Sequence, residues 1–479
     1  MIEKLKELEK TARLLEPSSV ERNSLLKKTI QYSENFLNNL ESSLTYTLPK
    51  ESRGEIFNSK NFEKPVNIDQ ILNILQKGVD TTGINPASGG HLGYIPGGGI
   101  YLSSLGDYLA AITNRYAGVY FASPGAVQLE NSLIDWMASL IGYPKNSGGN
   151  LTSGGSISNL IAIVTAREAF NIKPNEIKRT VVYLTAQAHH SIEKSLKIAG
   201  LNNCVKHYIP MDSGYRMNPE SLEQLIIQDK KCGLNPWLIV GSAGTTDVGA
   251  VDPLNSLGGI AKKYNLWFHI DGAYGTFFIL SETGKKILNG LEESDSIIMD
   301  PHKSLFLPYG SGAVLIKDKK HLFNAHSYQA GYMQDAFDSN EELSPADLSP
   351  ELSKHFRGLR LWLPLKLLGL NPFRAALEEK ILLARYAYDK LKEMNNIELG
   401  NYPDLSVVTF RYLLKNGDSD NFNKRLIEEI QKDGRVFLSS TILNGKYTLR
   451  IAVVSFRTHL KEINLAVEII KEKINLLLK

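Results

Sequence analysis

From about residue 100 to 320 the chain alternates helical stretches with short β-rich runs, "TVVYLT", "KHYIP", "WLIVGS", "LWFHID", "SIIM" and "GAVLIK". Most of these runs are almost continuously apolar and need cover on both faces, which a mainly parallel sheet flanked by helices provides. The expected fold class is therefore α/β. The flanks read differently. "IEKLKELEKTARLL", "SLLKKTIQYSENFLNNL" and "IDQILNILQKGV" place apolar residues at three-to-four spacing, which predicts amphipathic helices in need of a partner surface. "GINPASGGHLGYIPGGG" is crowded with Gly and Pro and reads as loop. After Pro364, "PFRAALEEKILLARYAYDKLKEM" predicts a long helix, followed by "LSVVTFRYL", a polar helix, "YTLRIAVVSF" and a last helix from about 460. These readings divide the chain into an N-terminal helical arm with its glycine-rich loop (1–95), a large α/β domain (96–365) and a small α+β domain (366–479).

Composition excludes several classes of function. The 479 residues, 43% hydrophobic and 22% charged, suffice for a large core and more than one domain. The net charge of +3, with no block of Lys and Arg, gives no sign of a nucleic-acid or membrane surface. Cys204 and Cys232 form neither a CxxC pair nor a disulfide framework. That fits a reducing compartment, expected to be the cytoplasm, and argues against a thiolate metal site. Residues 1–15 are charged throughout and no run of about 18 apolar residues occurs, so neither a leader nor a membrane span is expected.

Four short segments carry chemistry. In "DPHKSLFLPYG", residues 300–310, the run Ile297, Ile298, Met299 meets Pro301, which cannot donate to a ladder. The chain should leave the sheet there with His302 and Lys303 at its edge. In "LWFHIDGAYG", Asp271 closes an apolar strand ahead of Gly272, Ala273 and Gly275, where a carboxylate faces the ligand crevice of an open α/β sheet. In "NLTSGGSISNLIAIVTAREAF", Thr152, Ser153, Gly154, Gly155 and Ser156 precede a helix, and small residues let backbone N–H groups and hydroxyls close on a phosphate at its positive end. In "TAQAHHSIEKS", His189 follows a strand through a short turn; the adjacent His190 makes a metal pair unfavourable because neighbouring side chains point apart, and no metal is expected.

A phosphate cradle, a flat aromatic side chain, a buried carboxylate and a lysine are together the requirements of pyridoxal 5'-phosphate. The lysine forms a Schiff base, the carboxylate keeps the pyridine nitrogen protonated, and the imidazole stacks on the ring.

With these motifs in place, the sequence from about residue 65 resembles the group II pyridoxal-phosphate-dependent amino acid decarboxylases, the family of aromatic-L-amino-acid decarboxylase, with fold-type-I architecture. The resemblance matches "AHHSIEKS" to the family's ring-stacking histidine at His189, "HIDGAYG" to its pyridine-nitrogen aspartate at Asp271, and "DPHKS" to its internal-aldimine lysine at Lys303. Gly155, Ser156, His302, Ala273 and Thr246, the last in "AGTTDVG", match its phosphate and ring contacts. "SGGHLGYIPGGG" is similar to its substrate loop and implies substrate contacts from Tyr94, Ile95 and Pro96. "FRGLRLWLPLKLLG" resembles the segment after its mobile loop, and "YTLRIAVVSFRT" its C-terminal strand. The chain departs from the family at Asp300, where Asn is frequent, and at Ser304, where the aromatic decarboxylases carry Trp.

The resemblance implies a homodimer with the site at its interface, converting an L-amino acid to its amine and carbon dioxide. A loop tyrosine would return the proton; "HSYQAGYMQDAFDSNEELSPADLSPE" offers Tyr328 and Tyr332, and Tyr332, nearer the polar stretch, is the expected donor. The alternatives are an aldehyde-forming oxidative decarboxylase-deaminase of the same family, with Phe at the donor position, and a cofactor-binding scaffold without turnover.

Overall fold

The computed structural model describes residues 1–48, 62–327 and 343–479. Its large sheet has seven strands in the spatial order Gly148–Thr152, Gly312–Ile316, Ser296–Met299, Trp267–Asp271, Asn235–Ser242, Thr180–Leu184 and Val205–Tyr208. Gly312–Ile316 is antiparallel to both of its neighbours, and the other pairings are parallel. The mainly parallel sheet expected from the sequence is thus present. Burial explains the near-continuous apolar runs. Val181, Tyr183 and Ile239 enter the core on one face, whereas Val182, Leu184, Leu238 and Val240 enter a separate core on the other. Each such aliphatic side chain contributes roughly 1.5–3 kcal/mol when fully buried, so exposing either face would be prohibitive.

Helices Gly155–Ala169, Ser191–Ile198, Pro219–Lys231 and Leu254–Tyr264 return the chain between strands. This winding brings the C-terminal ends of the parallel strands to one edge, where the segments after Thr152, Leu184, Ser242, Asp271 and Met299 converge.

A second sheet, wholly antiparallel, has the order Ile397–Leu399, Val407–Tyr412, Lys446–Ala452, Ser439–Leu443. Helices Asn371–Lys392, Ser419–Asp433 and Leu460–Leu477 pack on it around a core that includes Phe410, Leu426, Leu449 and Ile470.

The expected amphipathic helices form at Ile2–Ala12, Ser19–Asn38 and Ile68–Leu75. Ser18 and Glu21 build a capping box at the start of the second. Within this chain the first helix and the start of the second leave apolar side chains uncovered, with Ile2, Leu5, Leu8, Leu15 and Val20 all exposed.

Sequence reasoning missed several strands. Gly148–Thr152, "GGNLT", lacks the β-branched signature but borders Gly312–Ile316 so closely that a Cβ on Gly149 would stand 2.2 Å from the Val314 carbonyl oxygen. Ile397–Leu399 and Ser439–Leu443 are also additional, and Gly83–Ile84, inside the segment read as loop, pairs with Tyr46–Thr47. Among the described residues no helix is long and apolar enough to cross a membrane.

Candidate active site

Lys303 follows the Ser296–Met299 strand on the short helical turn Pro301–Ser304. Pro301 occupies the first helical position, where its missing N–H costs nothing. The Lys303 ammonium lies 3.4 Å from Asp300 Oδ2, inside a cavity of about 300 Å³. That cavity is also lined by Asp271, His189, Ala273, Thr246, His302 and the run Ser153–Ser156, so the four sequence segments meet in one place.

The small residues of the cradle are sterically required. Gly154 precedes the helix at φ +150°, in a region that L side chains rarely adopt, and a Cβ there would stand 3.1 Å from the His302 ring. The Gly155 N–H donates to Asp300 Oδ2 at 3.1 Å, so the helix start already faces a carboxylate. Asp300 Oδ1 is buried without a hydrogen-bond partner among the described residues. The His302 ring contacts the Ser311 carbonyl oxygen through Nδ1 at 2.5 Å, and burial lowers its pKa.

Asp271 receives two donors: the Asn159 amide to Oδ2 at 3.0 Å and the Ala273 N–H to Oδ1 at 3.2 Å. Ser191 Oγ lies 2.6 Å from His189 Nδ1, and burial pushes the His189 pKa down, favouring the neutral imidazole. Thr246 is held through its carbonyl oxygen by Arg450, which reaches across from the small sheet and also donates to the Asp247 carbonyl at 2.8 Å.

Within this chain the glycine-rich segment lies outside the cavity lining. Tyr94 has φ +54°, is exposed, and packs 5.8 Å from the Phe437 ring; Ile95 and Pro96 are buried. The segment nevertheless abuts the lysine turn, because a Cβ on Gly97 would stand 2.3 Å from the His302 carbonyl oxygen. Ser304 is fully buried and its hydroxyl donates to the Tyr274 carbonyl at 2.6 Å, so the residue replacing the family's Trp is also absent from the lining. Tyr328 and Tyr332 lie outside the described residues.

An amine, a carboxylate, an imidazole and a small-residue helix start lining one cavity suit pyridoxal phosphate in chemical kind: Lys303 for an aldehyde carbon, Asp271 for a ring nitrogen, His189 for a ring face and the helix start for a phosphate. Residues 54–413 match the Pyridoxal-dependent decarboxylase conserved domain. The chain belongs to this decarboxylase family. It is a pyridoxal-phosphate-dependent amino acid decarboxylase of fold type I, as its motifs led one to expect. Over 377 residues it is 36% identical to "Aromatic-L-amino-acid decarboxylase" of Bacillus atrophaeus, covering 78% of either chain. "Phenylacetaldehyde synthase" of Arabidopsis thaliana is 28% identical over 430 residues, with 87% of this chain and 88% of the relative covered. The crystal structure of Oryza sativa TDC with PLP and tryptamine superposes with a TM-score of 0.91 over 97% of this chain and 99% of that one; at 24% identity the likeness concerns the fold.

Sequence reasoning did not find Asn159 and Ser191, which line the cavity, or His269, which stands behind it. The signals were present. Asn159 is a polar residue one turn after Gly155 on a largely apolar helix, and His269 lies two residues before Asp271, on the same face of its strand.

Proposed function

We propose that the substrate is an aromatic L-amino acid and that Lys303, Asp271 and His189 carry the reaction. The observation that supports these roles is the meeting of an amine, a carboxylate, an imidazole and a small-residue helix start in one cavity of about 300 Å³. Pyridoxal phosphate, when bound, supplies a conjugated ring that accepts the electron pair left as carbon dioxide departs. Lys303 would hold the cofactor through its side-chain amine. Asp271 would hold the proton of the ring nitrogen, His189 and Ala273 would flank the ring, and Gly155, Ser156, His302 and Thr246 would hold the phosphate and ring substituents.

Aromatic specificity is supported by the name of the Bacillus relative, and the buried Ser304 removes one sequence-level objection to it. Tyr332 is the proposed proton donor to the α-carbon. Tyr94, Ile95 and Pro96 are proposed to contact substrate in a homodimer. The exposed apolar faces of the N-terminal helices and an apolar groove of about 650 Å³ bordered by Leu26, Ile30, Phe36, Tyr101, Leu105 and Tyr108 favour a second copy as their cover. The dimer is proposed to act in the cytoplasm, in keeping with the two unpaired cysteines.

The test is a panel of L-amino acids incubated with the holoenzyme. Amine from phenylalanine, tyrosine, tryptophan or dihydroxyphenylalanine, with other side chains at least tenfold slower in kcat/KM, is the expected result; preference for an acidic or aliphatic substrate would overturn the assignment. The aldehyde-forming reading, which the phenylacetaldehyde synthase relative keeps in play, is distinguished by aldehyde and ammonia in place of amine. Tyr332→Phe should move the products in that direction if Tyr332 returns the proton.

A further inference from the structure

Behind Asp271 runs a buried chain of hydrogen bonds whose two ends allow only one polarity. The Trp267 indole can only donate, and its Nε1–H reaches Ser296 Oγ at 2.8 Å. Ser296 Oγ stands 2.8 Å from His269 Nδ1, His269 Nε2 stands 2.9 Å from Asn159 Oδ1, and Asn159 Nδ2 stands 3.0 Å from Asp271 Oδ2. An ionised carboxylate can only accept, so the Asn159 nitrogen must face it and the amide oxygen must face His269. Full burial pushes His269 down to about 4, so its ring is neutral at physiological pH. Its proton then sits on Nε2, donated to Asn159, and Nδ1 accepts the Ser296 hydroxyl. Every donor from Trp267 to Asp271 is thereby used.

The chain forks at Asn159. Its second N–H donates to Ser191 Oγ at 2.8 Å, and that hydroxyl stands 2.6 Å from His189 Nδ1, toward which the Ser191 backbone N–H also points at 3.3 Å. His189 Nδ1 is therefore an acceptor, and the neutral ring carries its proton on Nε2. One buried amide sets both the carboxylate and the imidazole of the site.

We propose that Asn159 and His269 are positioning residues: they hold Asp271 and His189 in the orientation and tautomer that the cofactor ring and the reaction require. The inference rests on the decarboxylase reading above and deepens it. His269 is the sensitive point, because without its N–H the fully buried Asn159 Oδ1 is left without a donor, and an amide with an unpaired buried oxygen holds Asp271 and Ser191 less firmly.

The test uses the full chain with pyridoxal phosphate. His269→Leu should raise the Kd for pyridoxal phosphate at least tenfold, measured by spectrophotometric titration. It should displace the visible absorbance maximum of the holoenzyme and lower kcat at least a hundredfold while KM changes less than threefold. His269→Gln supplies an amide donor for Asn159 and an acceptor for Ser296, and should bring the Kd back to within threefold of the parent. Should His269→Leu fail to fold, Asn159→Asp, close in shape but unable to donate to Asp271 or Ser191 when ionised, should show the same loss of affinity and the same spectral change. Parental Kd and spectrum in His269→Leu, or in Asn159→Asp if only that variant folds, would overturn the inference, as would equal losses in His269→Leu and His269→Gln. A parent chain that takes up no pyridoxal phosphate would instead overturn the cofactor-site reading on which the inference rests.

Discussion

Replacing Lys354 with Met should destabilise the chain in a way that a second substitution partly reverses. Lys354, in the irregular stretch before helix Gly358–Leu368, has a fully buried side chain. Its ammonium lies 2.9 Å from Glu130 Oε2, 2.7 Å from Asn150 Oδ1 and 3.3 Å from the Leu151 carbonyl oxygen, while Glu130 Oε1 accepts the Gly358 N–H at 2.9 Å. Asn150 and Leu151 lie on the strand that leads directly into the Ser153–Ser156 cradle, so the pair clamps the base of the site. Methionine preserves most of the stem but leaves the Glu130 carboxylate buried without its counter-charge. Breaking a buried pair from one side costs about 3–5 kcal/mol. The 479 residues, at about 2.1 cal/mol/K each, give an unfolding entropy near 1 kcal/mol/K. A loss of about 4 kcal/mol then lowers the melting midpoint by about 4 °C if the chain melts as one unit, and by more if a smaller unit melts first. Calorimetry of Lys354→Met, Glu130→Leu and the double variant forms the assay. The double variant should recover at least half of the loss shown by Lys354→Met, because a buried ion pair can be exchanged for apolar groups at little net cost. A single variant that melts with the parent, or a double variant in which the two losses simply add, would refute the coupling.

Further outcomes follow from the site. Lys303→Ala should remove the visible absorbance of the holoenzyme and all measurable turnover, whereas a borohydride-reducible adduct persisting in that variant would take Lys303 out of its role. Asp271→Asn should retain some cofactor but lose about two to three orders of magnitude in kcat, the scale of removing a preorganised electrostatic partner. Asp300→Asn keeps an acceptor for the Gly155 N–H and removes a carboxylate from the cradle, so pyridoxal phosphate should bind several-fold more tightly in spectrophotometric titration; weaker binding would contradict the cradle assignment. Burial pushes His91 and His269 each down to about 4, so below an unfolded value near 6.5 the unfolded chain binds protons that the native chain does not. Stability should therefore be full near neutrality and fall as the pH drops from about 6.5 toward 4, by about 2 kcal/mol per histidine at pH 5. His91→Gln should flatten the dependence of the melting midpoint on pH.

Much of this site was legible because a single residue type at a strand end already restricts the chemistry. Asp271 ends one apolar run and Lys303 lies on the turn that follows another, and the parallel sheet carries both ends to the same edge. His189 and the Ser153–Ser156 cradle were visible for the same reason. What escaped notice depends on pairing rather than pattern. Gly148–Thr152 becomes a strand because its neighbour can approach two glycines, a property of the partner that "GGNLT" does not display. The hydrogen bonds among Trp267, Ser296, His269 and Asn159 join three elements distant in sequence, and only their superposition in the folded sheet gives each polar group its partner. The glycine-rich segment shows the reverse. Its composition reads as loop, but Leu92 bonds to Phe437 and Ala452 through its backbone, tying the segment to the small sheet far along the chain.

Decarboxylation of an amino acid without oxidation is tested most directly by measuring carbon dioxide, amine, aldehyde and ammonia together in one incubation of the holoenzyme with an aromatic L-amino acid. Carbon dioxide and amine should appear in a one-to-one ratio, unchanged when oxygen is removed. Aldehyde and ammonia appearing in place of amine, with the reaction stopping under anaerobic conditions, would contradict it.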